Sequence, residues 1–162
     1  MEKGEQKEKI LEISQDKEKV HIVLANSYSV FFLLFLVGVF LDLIFNIKIL
    51  NFSFMLPIGM VLIFLATLLI LWAQKTSRNL KIENLTKGTF CKGPYCFTRS
   101  PTHWGLFFLM FGFGIMINAV FVIIFSIISL IFGKFVFLKR EETILEKKYG
   151  TPYMEYRKSV KF

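Results

Sequence analysis

Acidic residues are missing from this chain where its apolar runs are longest. Of 12 aspartates and glutamates, Asp42 alone lies between Tyr28 and Ala73, and none lies between Trp104 and Leu138. Cysteine is also scarce. Cys91 and Cys96 are the only two, which excludes a scaffold stapled by several disulfides. They fall in a segment read below as cytosolic, so no disulfide is expected between them. A metal site using Cys91, Cys96 and His103 would lack a fourth ligand nearby, and no metal is assigned. No nucleic-acid-binding motif accompanies the formal charge of +8. The cations stand beside apolar runs, where a membrane explains them, and nucleic acid is not an expected partner. No small-residue cleavage site follows the first apolar run, so a cleavable leader is not expected.

What the chain has in abundance is hydrophobic surface. It is 54% hydrophobic with 20 phenylalanines in 162 residues, a composition that marks an integral membrane protein of all-α class forming one unit. Residues 1–27 hold five lysines and six acids and read as a charged cytosolic arm. Its apolar positions from Ile10 to Leu24 allow an amphipathic helix, and a solvated leader is the simpler expectation. Four spans are expected, at about residues 28–47, 54–73, 104–117 and 119–138. At 1.5 Å per residue, the first two are long enough for a hydrocarbon core of roughly 30 Å. The long run from Trp104 to Leu138 becomes a helical hairpin turning near Asn118, with Gly105, Gly112, Gly114, Ala119 and Gly133 allowing its two helices to approach. Asp42 lies close enough to the end of its span to reach the interface.

Charge asymmetry orients the spans. The turn after the first span carries only Lys48, whereas Gln74–Arg99 carries Lys75, Arg78, Lys81, Lys87, Lys92 and Arg99 against the single acid Glu83. The positive-inside rule therefore places this loop (74–103), the tail (139–162) and both termini in the cytoplasm.

Polar and turn-forming residues crowd into the loop between Gly93 and Gly105. Gly93-Pro94 and Ser100-Pro101 are turn signals, and Arg99 between them has a forked guanidinium suited to a carboxylate or phosphate. In the tail, Gly150 can close one helix, while Thr151 as N-cap and Pro152 at the first helical position open another. Leu138, Glu142, Leu145 and Tyr149 fall on one stripe of the first tail helix. Glu142 thus takes a place where an apolar residue is expected, with Glu141 about 100° around the helix.

These residues assemble into a resemblance. Gly93-Pro94-Tyr95, Arg99-Ser100-Pro101 through Gly105, the apolar hairpin, Glu141-Glu142, Leu145, Tyr149-Gly150, Tyr153 and Tyr156 resemble the membrane methyltransferases related to isoprenylcysteine carboxyl methyltransferase and phospholipid N-methyltransferases. The resemblance covers about the last seventy residues. It implies an S-adenosyl-L-methionine site built from Gly93, Pro94, Tyr95, Arg99, Ser100, Pro101, His103, Glu141 and Glu142, with Arg99 and Glu142 as candidate catalytic residues. It further implies a lipid or lipidated acceptor entering from the bilayer, with Tyr149, Tyr153 and Tyr156 as candidate substrate contacts. The family places histidine where this chain has Ser100, and tyrosine where it has His103. Ser100 offers only a hydroxyl in that place.

The chemistry asks little of the protein beyond aligning donor with acceptor and excluding water. An isoprenylcysteine-like carboxylate is already ionised at neutral pH, whereas a phospholipid amine needs a base. A different class of function is a tetraspan protein without enzymatic activity, whose basic loop binds anionic headgroups.

Overall fold

A computed structural model describes residues 2–48, 54–78 and 90–160. Lys81, Glu83 and Lys87 of the loop lie outside them, as do the side chains of the arm's expected apolar stripe apart from the exposed Ile22. Among the described residues the chain is helical throughout, with no strand. Helix α1 (Glu2–Phe45) is one rod of 44 residues, so the arm expected as a solvated leader continues without a break into the first apolar segment. Helix α2 (Met55–Arg78) carries Pro57 in its first turn, where its missing N–H costs nothing. A 3-10 turn (Gly93–Cys96) leads to α3 (Pro101–Ile117), and Asn118, left-handed at φ 57°, turns the chain into α4 (Val120–Phe132). The hairpin thus turns at Asn118, as the sequence indicates.

Helix α4 runs through a π-helical segment (Gly133–Phe137) into α5 (Leu138–Tyr149). In the widened turn the Leu138 N–H donates to the Gly133 carbonyl, and such segments are found disproportionately at functional sites. Gly150, at φ 60°, ends α5, and α6 (Thr151–Ser159) follows. Here the structure corrects the sequence reading: Gly150 occupies the N-cap position, and Thr151 is already helical with no side-chain cap.

Three segments, Ala25–Phe45, Met55–Ser77 and Val120–Lys147, are long and apolar enough to cross a membrane, and Pro101–Ile117 is a shorter apolar helix. Their surface is inverted relative to a soluble protein. Phe32, Leu33, Phe40, Leu43 and Phe64 face outward, while small or polar Ser27, Ala66, Ala73, Ser126 and Ser129 are buried between helices. Lipid gives no hydrophobic reward for burying a leucine, so close backbone packing decides the interfaces.

Of the small residues expected to join the hairpin helices, Gly114 does so, while three others serve different partners. Gly105 and Gly112 face α2, Gly114 faces Ile123 across the hairpin, and Gly133 faces Phe31 of α1. The closest approach is between α2 and α3, where a Cβ on Gly59 would come within 2.7 Å of the Gly112 carbonyl oxygen.

Asp42 also differs from expectation. Its carboxylate does not reach for the interface but turns inward, accepting the N–H groups of Phe121 and Val122 at 3.1 and 2.9 Å. It caps the start of α4 from across the bundle. The exposed N–H groups and positive dipole end of a helix outcompete a water-filled interface for a carboxylate this close.

Candidate functional site

The loop that leads into α3 is shaped by two glycine and proline turns. Gly93 is left-handed at φ 56°, and a Cβ there would lie 2.8 Å from Thr76 Oγ1. Glycine is therefore required both by the backbone and by the α2 surface beneath it. Pro94 and Pro101 are fully buried. The turn brings the Cα atoms of Cys91 and Cys96 to 4.5 Å, and the two form a disulfide. This corrects the sequence expectation: the folded turn brings the pair within bridging reach.

Between the two turns Arg99 reaches α5. Its guanidinium pairs with Glu142, which is only 4% exposed. Glu142 Oε2 also takes Arg157 Nε at 3.2 Å, and Arg157 pairs in turn with Glu146. A carboxylate on the inward stripe of α5 thus gathers arginines from the loop and from α6. Arg157 and Glu146 are additions that sequence reasoning missed. Arg157 stands eleven residues beyond Glu146, across a helix break, and no helical spacing links them.

This cluster borders a cavity of about 560 Å³. Arg99, Glu142, Glu146 and Arg157 line it together with Lys134, Lys139 and Lys158. Phe135, Leu138 and Met154 supply its apolar wall. Phe135 and Met154 are also exposed outward, so the cavity opens beside apolar surface.

The other candidate residues are placed elsewhere. Glu141 does not line the cavity. Its charge acts instead on Tyr95 and Tyr28, both within hydrogen-bonding reach of Thr102. Burial first, then that charge, pushes the Tyr95 phenol above its ordinary pKa. The adjacent glutamates therefore face two different surroundings. His103 is buried among α1 residues, sharing a 2.6 Å hydrogen bond with Ser27 and stacking on Phe31 at 5.7 Å. It stands away from Arg99's cavity, and Ser100 supplies the backbone just before α3.

Tyr153 and Tyr156 form a buried core with Val160, against which Phe90, Leu145 and Tyr149 pack. Burial raises the pKa of all three tyrosines. Tyr156 donates its hydroxyl to the Tyr95 carbonyl at 2.7 Å. These tyrosines, which the sequence reading put against substrate, bind α6 to the loop. Their aromatic spacing in the sequence does not distinguish a wall from a core.

A model of the phospholipid methyltransferase family matches residues 54–152. The chain belongs to that family. The match runs from α2 into the start of α6 and so includes Arg99, Glu142 and the hairpin, while α1 lies outside it. No individual curated protein and no solved structure matches the chain. Membership makes this a methyltransferase-family membrane protein, and it agrees with the resemblance carried by the loop and tail.

Proposed function

We propose that this family member is an S-adenosylmethionine-dependent methyltransferase acting on the polar end of a lipophilic acceptor. In this reading it crosses the bilayer four times with both termini cytoplasmic. The lysine-rich loop and tail at one end of the bundle, against Lys48 alone at the other, support that orientation, and the Cys91–Cys96 bridge in the loop is the observation that weighs against it.

The observation that carries the reading is the Arg99–Glu142–Arg157 cluster at the edge of the 560 Å³ cavity. The donor set fits the cofactor. Arg99 and Arg157 suit its carboxylate, Glu142 and Glu146 its cationic amino group, and Leu138 and Met154 its apolar portions. When bound, S-adenosylmethionine supplies a methyl group activated by the neighbouring sulfonium. The chain's residues orient and exclude water. Glu142 fixes two guanidiniums that would otherwise swing freely, so their ordering cost is met before a ligand arrives. The Tyr156 bond to the Tyr95 carbonyl keeps the loop over the tail. Gly93, Pro94 and Pro101 shape the backbone that presents Arg99, and Glu141 with Tyr95 forms a separate polar wall behind it.

The two carboxylates lining the cavity are both engaged by arginines. That supports an acceptor needing no base, such as an isoprenylcysteine-like carboxylate. The second reading is a phospholipid amine, favoured by the family match.

The test begins with calorimetric titration of S-adenosylmethionine, and separately S-adenosylhomocysteine, into the detergent-purified chain. Saturable binding is expected, and its loss in Arg99→Ala. No binding of either compound to folded protein would sink the enzymatic reading and leave the non-enzymatic tetraspan in front. Label transferred from the methyl donor into extracted lipids then separates the acceptors: alkali releases a methyl ester but not an N-methyl group.

A further inference from the structure

Cys91 and Cys96 bracket the turn that joins α2, the tail and Arg99. Gly93 within it sits against Trp72 and Thr76 of α2, and the Tyr95 carbonyl accepts the Tyr156 hydroxyl from α6. Cys91 itself packs on the core of Tyr153, Tyr156 and Val160. On the other side of the turn, Cys96 lies three residues before Arg99. The bridge is therefore a covalent strap from the segment seated on the tail to the segment that carries Arg99. Four backbone hydrogen bonds, from the N–H groups of Lys92, Tyr95, Phe97 and Thr98, hold the same turn independently. Opening the strap thus loosens the turn without dissolving it.

Both cysteines are half-buried, and Lys92 and Phe97 beside them are exposed. Partial exposure next to a cation is a setting in which cysteines exchange with solution thiols. The charge of the loop places it in the cytoplasm, an orientation that rests on the reading proposed above. In that compartment thiols are kept reduced, and the disulfides that do form are transient and catalytic or redox-sensing. A permanently closed bridge is at odds with a cytoplasmic loop, whereas a bridge that opens and closes agrees with both observations.

We propose that Cys91 and Cys96 form a reversible redox site whose closed form locks the loop, the tail and Arg99 together. Closing is thiol–disulfide exchange with a small disulfide such as oxidised glutathione. The two cysteine S–H bonds break, the Cys91–Cys96 S–S bond forms, and the small disulfide is reduced to two thiols that take up the protons. Opening is the reverse, with two small thiols as the reductant. In the closed form the strap fixes the spacing between the tail core and Arg99, whose guanidinium meets Glu142. In the open form nothing covalent joins Cys91 to the segment bearing Arg99, and both α6 and Arg99 loosen. Closing also tightens cofactor binding, a consequence that rests on the enzymatic reading.

The chain has only these two cysteines, so counting thiols reads the site directly. Cells making the full chain are quenched with acid, labelled with a maleimide, and the labels are counted by intact mass. Two labels are expected from unstressed cells, and none after the glutathione pool is oxidised with diamide, with recovery on washing. A bridge that stays closed in unstressed cells, or thiols that never close under oxidant, overturns the proposal. A membrane-impermeant maleimide, applied to living cells after an impermeant phosphine reductant, separates the two reasons for a permanent bridge. Its entry places the loop on the outer face and overturns the orientation along with the redox site, whereas its exclusion overturns the redox site alone.

Hydrogen exchange of the purified chain in nanodiscs, poised oxidised or reduced, reads the lock without any cofactor. Exchange in α6 and at residues 97–99 should be about tenfold faster in the reduced form, with the hairpin of α3 and α4 unchanged. Cys91→Ser/Cys96→Ser should exchange like the reduced parent in either poise. Equal exchange in both forms of the parent, or a redox response that persists in the serine variant, overturns the lock. Titration of S-adenosylmethionine should show about fivefold tighter binding to the closed form, and unchanged affinity overturns that coupling alone. Cofactor binding to neither form falls on the enzymatic reading, while thiol counts and exchange still decide the redox site.

Discussion

Asp42 and Glu142 are carboxylates at opposite ends of the same bundle, each on a helix that is otherwise apolar on its inward face. Asp42 accepts two backbone N–H groups at the start of α4, and the cavity beside it is about 140 Å³. Glu142 is met by two guanidiniums at the edge of a cavity four times larger. A helix terminus is a fixed partner, so Asp42 fastens the first helix to the hairpin. Guanidiniums offer several donors in a fixed fork, and these two line a cavity of ligand size. Two inward carboxylates therefore do different work, according to whether the counter-charge belongs to the backbone or to side chains.

The largest effect that would sharpen this contrast is expected from Glu142→Ala. It leaves two arginines without their shared partner and should cost about 3 kcal/mol of stability, measured by thermal unfolding in detergent. Cofactor binding should be lost with it. If that variant kept the parent's cofactor affinity, Glu142 would be a brace like Asp42 and the contrast would collapse.

A smaller cost attaches to the other end of the bundle. Asp42→Ala should lose about 1–2 kcal/mol as a missing helix cap, with Asp42→Asn recovering most of it. Cofactor affinity in the folded fraction should stay unchanged, and calorimetry showing otherwise would join the two ends functionally.

The smallest effect concerns the tail core. Tyr156→Phe removes one hydrogen bond to the Tyr95 carbonyl, at a cost of about 1 kcal/mol. The same core has a pH signature. Burial holds Tyr153 and Tyr156 above the ordinary phenol pKa, so the unfolded chain releases these protons first. Their contribution to stability is complete below about pH 10 and declines as pH rises beyond it. The melting temperature should be flat from neutral pH to that point and then fall, less steeply in Tyr156→Phe. A parent protein with no alkaline fall would place these tyrosines outside the core.

The apolar helices, the turn at Asn118 and the inward position of Glu142 were legible because helical periodicity and turn chemistry are local. The placement of Glu141 and His103 was not. Adjacent glutamates differ by a rotation about the helix, and which neighbour each meets depends on the packing of α1 and the loop. Ser27 gave no signal that it would partner His103, since a buried hydroxyl leaves no pattern in a greasy run. Of the lysines around the cavity, Lys139 and Lys158 were visible only as tail cations and Lys134 lay unremarked in the fourth apolar run; that they line one cavity depends on how α5 and α6 fold back.

The sequence by itself determined a helical membrane protein with a cationic loop and tail and a loop–tail motif of the methyltransferase kind, because lipid forces apolar segments into helices and turn chemistry is local. Tertiary structure alone decided which carboxylate caps a helix, which gathers arginines, and which tyrosines are core. Those outcomes turn on contacts between segments far apart in the chain, such as Asp42 with Val122 and Arg99 with Glu142, whose distances no local pattern encodes.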